Sequence, residues 1–428
     1  MEMTTLGTVA TICFFCALVQ SLFSGFILKL SDDLKSKRPY VSRFLHFAGE
    51  PEIVFGMWAA AFLAVLMLVS GFEAGLKWVD ERNFSEVAFV VVIMVLASTR
   101  PITEFAEKII GSIAKLLPLS KPEAMYIAVL IIGPLLGSLI TEPAAMTISA
   151  LLLKRRVFDP LGKGVASKFF YITLATLFVN ISVGGALTHF AAPPVLMVAR
   201  IWDWDTPFMF MTFGWKAVIA VVINTIIAFM LNRETLKTIK PPVRDPNDIP
   251  LRTPFWITAV HLAFMVLCVM SVHHPTFVIG LFMFFLGFYD ITRDKQSEVR
   301  IEESMLVGFF LAGLVTLTAK QGWWLKPILQ SIENLALYVG TLILSPITDN
   351  AAMTSLAAQV SGLSDQSKYL IVAAAIVGGG MTIIANAPNP AGLSLLKDHM
   401  PGKSLSAGKL LMGALTPTII TALLFWFL

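Results

Sequence analysis

Apolar residues run along this chain in long blocks rather than in the short alternations of a soluble fold. A helix needs roughly 20 apolar residues to cross about 30 Å of hydrocarbon. Such runs lie at 6–30 and 53–71, with a shorter one at 84–99. The pattern then changes. From Arg100 to Pro118 the apolar positions Ile102, Phe105, Ile109, Ile110, Ile113, Leu116 and Leu117 recur at helical spacing against Glu104, Glu107, Lys108 and Lys115. This predicts an amphipathic helix lying along the membrane interface. The next run, Glu123 to Thr141, stops at Glu142-Pro143 and resumes as Ala144 to Leu153, about ten residues or roughly 15 Å of helix. Only half a bilayer is covered before Lys154-Arg155-Arg156, so 123–153 is predicted to be a re-entrant helical hairpin. A span with a central break (168–200) and a return span (208–231) precede a polar linker, 232–253.

The remaining chain follows the same plan. Spans are predicted at 254–272, 276–290 and 303–319, then a polar-aromatic stretch 320–333, a hairpin 335–360 broken at Asp349-Asn350, a broken span 367–396 and a last span 406–428. The duplication is also visible letter by letter: Ile140-Thr-Glu-Pro-Ala-Ala-Met-Thr147 returns as Ile347-Thr-Asp-Asn-Ala-Ala-Met-Thr354, with six of eight positions identical. A second pair of breaks follows, Gly184-Gly185 with Ala192-Pro193-Pro194 and Gly378-Gly379-Gly380 with Asn386-Ala-Pro-Asn-Pro390. The expected fold class is an all-α polytopic membrane protein of two repeats, 1–231 and 254–428, each with about five transmembrane spans and one re-entrant hairpin. An odd number of spans per repeat inverts one half relative to the other.

Composition agrees and adds orientation. With 56% hydrophobic and 14% charged residues the chain is no ordinary soluble protein, and a net charge of +4 gives no reason to expect nucleic acid. The loops 29–46, 154–168 and 232–253 each carry five Lys and Arg, whereas 201–207 and 272–276 carry none. The rich loops should be cytoplasmic. Both termini then face outward, in a cell inner (plasma) membrane, with the first hairpin entering from the cytoplasm and the second from outside. The first apolar run follows no basic region and precedes no small-residue cleavage site, and is read as a retained span. Cys13 and Cys16 share a C-x-x-C spacing but sit in apolar sequence without a second pair, which fits buried thiols better than a metal or redox site.

The chemistry concentrates at the breaks. Irregular backbone in hydrocarbon is tolerated only where protein or water satisfies its polar groups, so four breaks at mid-depth imply a wet central site. Each hairpin tip starts a half-helix whose free N–H groups and positive dipole end face that site. Glu142 and Asp349 could simply cap those half-helices. Yet an ionisable group at the bilayer centre costs on the order of 2.5–3.5 kcal/mol, and Ser or Thr would cap without that cost. Paired acids are better explained as cation or proton sites.

Paired hairpins with a Thr-Asp-Asn type of tip, each followed by a Gly-rich, Asn/Pro-broken span, resemble the ion transporter superfamily, and most closely its bacterial putative sodium/proton antiporters. The resemblance covers nearly the whole chain in plan, but its specific content lies in the two tips and two breaks. Asp349-Asn350 matches the antiporter tip, while Glu142-Pro143 departs from it. The resemblance implies sodium ligands at Thr141 and Glu142 with carbonyls near Gly184 and Gly185, and at Thr348, Asp349 and Asn350 with carbonyls near Gly378, Gly379 and Gly380. Asn180, Asn386 and Asn389 add amide oxygens that serve either the ion or the backbone. It also implies sodium/proton exchange by alternating access, elevator-like, in a homodimer, with inorganic ions and the lipid bilayer as partners and no cofactor.

Other residues read more plainly. His189 lies in the first break and could titrate near neutral pH, although a lone histidine is more often structural. Gly133 and Gly137 have the spacing of close helix packing, and Glu50 and Glu52 mark an interfacial helix start, with a role in the transport pathway as the lesser reading. Two alternative functions remain at this stage: a sodium-coupled importer of carboxylate, sulfate or bicarbonate, since half-helix N-termini attract anions, and an intramembrane hydrolase. Against the latter, Tyr289-Asp290 has no Gly-x-Gly-Asp partner, and neither H-E-x-x-H nor G-x-S-x-G occurs.

Overall fold

The structure is a computed structural model describing residues 3–162, 165–239, 253–402 and 405–428. All regular structure among the described residues is helical. Six helices are long and apolar enough to cross a membrane, or eight if two sharply bent pairs count as single spans. The chain is thus a multi-pass membrane protein.

The first run is not one straight span. α1 (Met3–Leu22) ends at Phe23 and α2 (Ser24–Leu34) turns off by 62°. α3 (Pro39–Gly49) packs on α2 and leads into α4 (Pro51–Ser70) and α5 (Phe72–Asp80). α6 (Ser85–Ser98) and the amphipathic α7 (Arg100–Leu116) meet at Thr99 at 67°. Pro101 has no N–H for the carbonyl of Ala97 and its ring would crowd it, so α6 stops and Thr99 turns extended before α7 begins.

α8 (Lys121–Ile140) begins with a capping box in which Ser120 and Glu123 exchange hydrogen bonds. α9 (Glu142–Leu153) folds back along it after a single residue, Thr141, at φ +73°. Gly133 faces Ser149 and Gly137 faces Ala145, so the two helices run antiparallel, with backbones close because no Cβ stands between them. Then come α10 (Ser167–Gly184), an irregular stretch at 188–192, α11 (Pro193–Ala199) and α12 (Thr206–Lys237). α12 extends beyond the predicted Leu231, since Arg233, Glu234, Leu236 and Lys237 favour helix and Asn232 is bonded to Tyr126. The rest of the predicted linker, 240–252, lies outside the described residues.

The second half contains α13 (Phe255–Met270), α14 (Pro275–Ile291), α15 (Ile301–Thr318), α16 (Gly322–Ser331), α17 (Asn334–Thr348), α18 (Asn350–Ala358), α19 (Asp365–Gly378), α20 (Asn389–Leu396) and α21 (Ala407–Phe427). The polar-aromatic stretch 320–333 contains the short helix α16.

Two bodies of packing position the site. α4 and α15 press together where Gly56 receives the ring of Phe309 and Gly313 sits on the backbone of Phe55 and Gly56, with α1 and α6 packed alongside. The broken segments form the other body, and their contacts are exchanged between halves: α9 packs on α20, and α18 packs on α11. α10 and α19 cross near their ends, Ser182 Oγ donating to the Ile376 carbonyl at 2.7 Å and Gly380 touching the Val179 backbone. α21 fixes their directions. Its start meets the start of α10, where Ser406 N–H donates to Tyr171 (2.8 Å), and its end meets the start of α19, where Tyr369 OH donates to the Phe425 carbonyl (2.5 Å). The two broken segments consequently run in opposite directions.

Candidate functional site

The two tips are not equivalent in the way their letters suggest. In the first, Thr141 holds the left-handed conformation and Glu142 is the first residue of α9. In the second, Asp349 holds it at φ +100° and Asn350 is the first residue of α18. The structural correspondence is therefore Thr141 with Asp349 and Glu142 with Asn350, one residue away from the alignment of the octapeptides. Neighbouring contacts agree. Glu142 lies against Gly185 and Asn350 against Gly379, and Thr188 donates to the Ser138 carbonyl as Thr382 does to that of Pro346.

The acids differ in consequence. Asp349 is a helix cap: its Oδ1 accepts from the N–H groups of Ala351 (2.8 Å) and Ala352 (3.2 Å), and an aspartate tolerates positive φ better than most residues. Glu142 caps nothing. Its side chain, 0% exposed, crosses to the other half, where Oε2 accepts from Asn386 Nδ2 at 2.7 Å while Oε1 has no partner. A Cβ on Gly185 would stand 2.5 Å from that oxygen, which is why glycine is needed there.

Thr141 Oγ1 and the Oδ1 atoms of Asn350, Asn386 and Asn389 are buried and, like Glu142 Oε1, without a partner. A buried polar atom without a partner costs roughly 1–3 kcal/mol, a cost that a bound cation would relieve. Oxygen-only donors with one carboxylate suit a hard cation. No group of three His, Cys, Asp or Glu that would suit a transition metal occurs among the described residues.

The predicted glycines serve by closeness more than by their carbonyls. The Gly184 carbonyl already accepts from Ser138 Oγ (2.6 Å), and that of Gly379 from Asn389 Nδ2 (2.9 Å). Gly378 lies against Ser345 and Gly380 against Val179. Asn389 also donates to the Thr382 carbonyl (2.8 Å) and so repairs the backbone of the second break. Thr348 donates to the Leu344 carbonyl (3.0 Å) and borders a small cleft beside Asp349.

Asn180 stands apart from the site. Its amide nitrogen donates to the carbonyls of Leu130 (2.9 Å) and Val221 (3.3 Å) and to Thr225 Oγ1 (3.0 Å), and its oxygen accepts from Asn224. The reason lies in α8. Pro134 has no N–H for the Leu130 carbonyl, and Asn180 with Thr225 supplies the missing donors. His189 is likewise an anchor, its Nδ1 hydrogen-bonded to Thr206 Oγ1 at 2.8 Å. Cys13 and Cys16 are free thiols, buried and half-buried.

Sequence reasoning missed two features. Ser182 hydrogen-bonds the Asn350 amide (3.4 Å) and joins the crossing helices, and a serine in an apolar helix gives no local sign of that. Glu52, for which the sequence favours a helix start over a pathway role, both stands in the first turn of α4 and lines the cleft beside Asp349 with Asn386.

Two broken helical segments that cross near their ends, with the buried Glu142 carboxyl beside Gly185 at the end of one of them, share the plan of membrane transport proteins built on discontinuous helices. A family model described as "Putative Na+/H+ antiporter" matches residues 5–428, and the chain belongs to that family. Membership implies a transporter rather than an enzyme, with ions as substrates. No curated protein matches the chain.

Proposed function

We propose that this protein exchanges sodium, or a similar monovalent cation, for protons across a cell inner (plasma) membrane by alternating access. The observation that carries the reading is Glu142: a fully buried carboxyl with no basic partner among the described residues, one oxygen held by Asn386 and the other without a partner. A carboxylate there needs a counter-cation, and a carboxylic acid needs none. Cation and proton therefore compete for one group, and that competition is antiport. Asp349, Asn350, Asn386 and Asn389 complete the exchange region, with Thr141 beside Glu142.

On this reading the halves 1–231 and 254–428 are inverted repeats, and α8–α9 and α17–α18 are re-entrant hairpins whose tips meet at mid-membrane. The opposite directions of α10 and α19 and the exchanged packing of α9 and α18 support it. The broken body would carry the ion, elevator-like, past the body built on α4 and α15, in a homodimer with both termini outside. The purified protein in liposomes should drive sodium uptake when protons are concentrated inside, and E142Q should abolish it. Exchange that survives E142Q overturns the assignment. Sodium-dependent flux of labelled carboxylate, sulfate or bicarbonate, indifferent to the proton gradient, would instead favour an anion symporter.

A further inference from the structure

The cleft beside Asp349 is small, about 20 Å³, room for about one water-sized occupant. Its lining comes from both bodies: Thr348, Asp349 and Asn386 from the broken segments, Glu52 from α4 and Ser21 from α1. Asp349 spends Oδ1 on the α18 cap and Oδ2 accepts no hydrogen bond among the described residues. Glu52 makes no ion pair among the described residues, and its charged neighbours are the acids Glu50 and Asp349. Two further oxygens border the cleft and have no partner, Asn386 Oδ1 (residue 1% exposed) and Ser21 Oγ (7% exposed). Two carboxylates facing one cleft without a base among the described residues repel each other.

We propose that Glu52 completes a monovalent-cation site with Asp349, Asn386, Thr348 and Ser21, separate from the Glu142 carboxyl and built half on each body. It deepens the exchange reading above and rests on it. A cation seated here ties the broken body to α4 through opposite charges. Its departure leaves two acids in repulsion across the same boundary, which pushes the bodies apart. Asn386 touches both places, its amide nitrogen donating to Glu142 while the residue also lines the cleft, so occupancy of one site is felt at the other.

The test is equilibrium binding of radioactive sodium to the purified full-length protein, with lithium and potassium as competitors. E52Q should bind sodium about tenfold more weakly, as expected for one lost charge-assisted contact, while E50Q binds as the wild type does. E52D keeps the charge but draws it back by one methylene, and should shift the preference among lithium, sodium and potassium. Unchanged sodium affinity in E52Q overturns the site. Should E52Q fail to fold, an E52D protein with wild-type affinity and wild-type ion preference overturns it equally. Wild-type protein that binds no sodium at all refutes the exchange reading instead, which keeps the two failures apart.

Discussion

Glu142 and Asn180 are both fully buried polar side chains in the broken body, and their surroundings give them opposite duties. Every hydrogen-bonding atom of Asn180 is engaged, so N180A should lower stability by about 1–3 kcal/mol, the cost of orphaning buried groups. Thermal melting in detergent should show that loss with the sodium dependence of the melt unchanged. Asn386, with one free oxygen, should behave the other way: N386A is expected to weaken sodium-dependent stabilisation in the same measurement while costing less in its absence. Gly185 is a third case. G185A places a methyl on the Glu142 carboxylate and should abolish exchange, whereas G25A, with open space around it, should leave exchange at the wild-type level.

At the scale of elements, the one-residue offset between the tips decides what each half-helix needs. α18 starts on an aspartate cap and α9 on an uncapped threonine. D349A should therefore loosen α18 by about 1 kcal/mol, the usual value of a cap. D349N retains a capping oxygen and removes the charge. If the capping role were all, D349N would transport normally; the expected outcome is a stable protein with lost or strongly weakened sodium/proton exchange. The octapeptide repeat pointed to the right places for both tips. It could not reveal the offset, because a sequence alignment matches acid with acid and cannot see which residue takes positive φ.

Across the whole molecule, α9 and α20 come from different halves yet run together. Gly392 packs on Met146, and at one end Lys154 pairs with Asp398 (3.3 Å) and Asp159 with His399 (2.8 Å). If these helices travel as one body, joining K154C to D398C with a short thiol cross-linker should leave exchange intact. Inhibition by that cross-link would mean that the two segments separate during transport. The same arrangement makes the charge-based orientation checkable, since Lys154 and Lys397 should both be reached by impermeant reagents from the cytoplasmic side alone.

The sequence by itself determined the helices, their breaks and the chemistry available at them, because apolar run length, proline, glycine and an acid in hydrocarbon act locally and leave local marks. The duplication of Ile140–Thr147 in Ile347–Thr354 was legible for the same reason. Only the tertiary structure decided which oxygens converge. It removed Asn180 to the repair of a proline break, gave Asp349 the cap and Glu142 the crossing to Asn386, and brought Glu52 from 297 residues away in the chain to the side of Asp349. Such partnerships depend on how oppositely directed helices cross, and a crossing is a property of packed surfaces that no single stretch of letters contains.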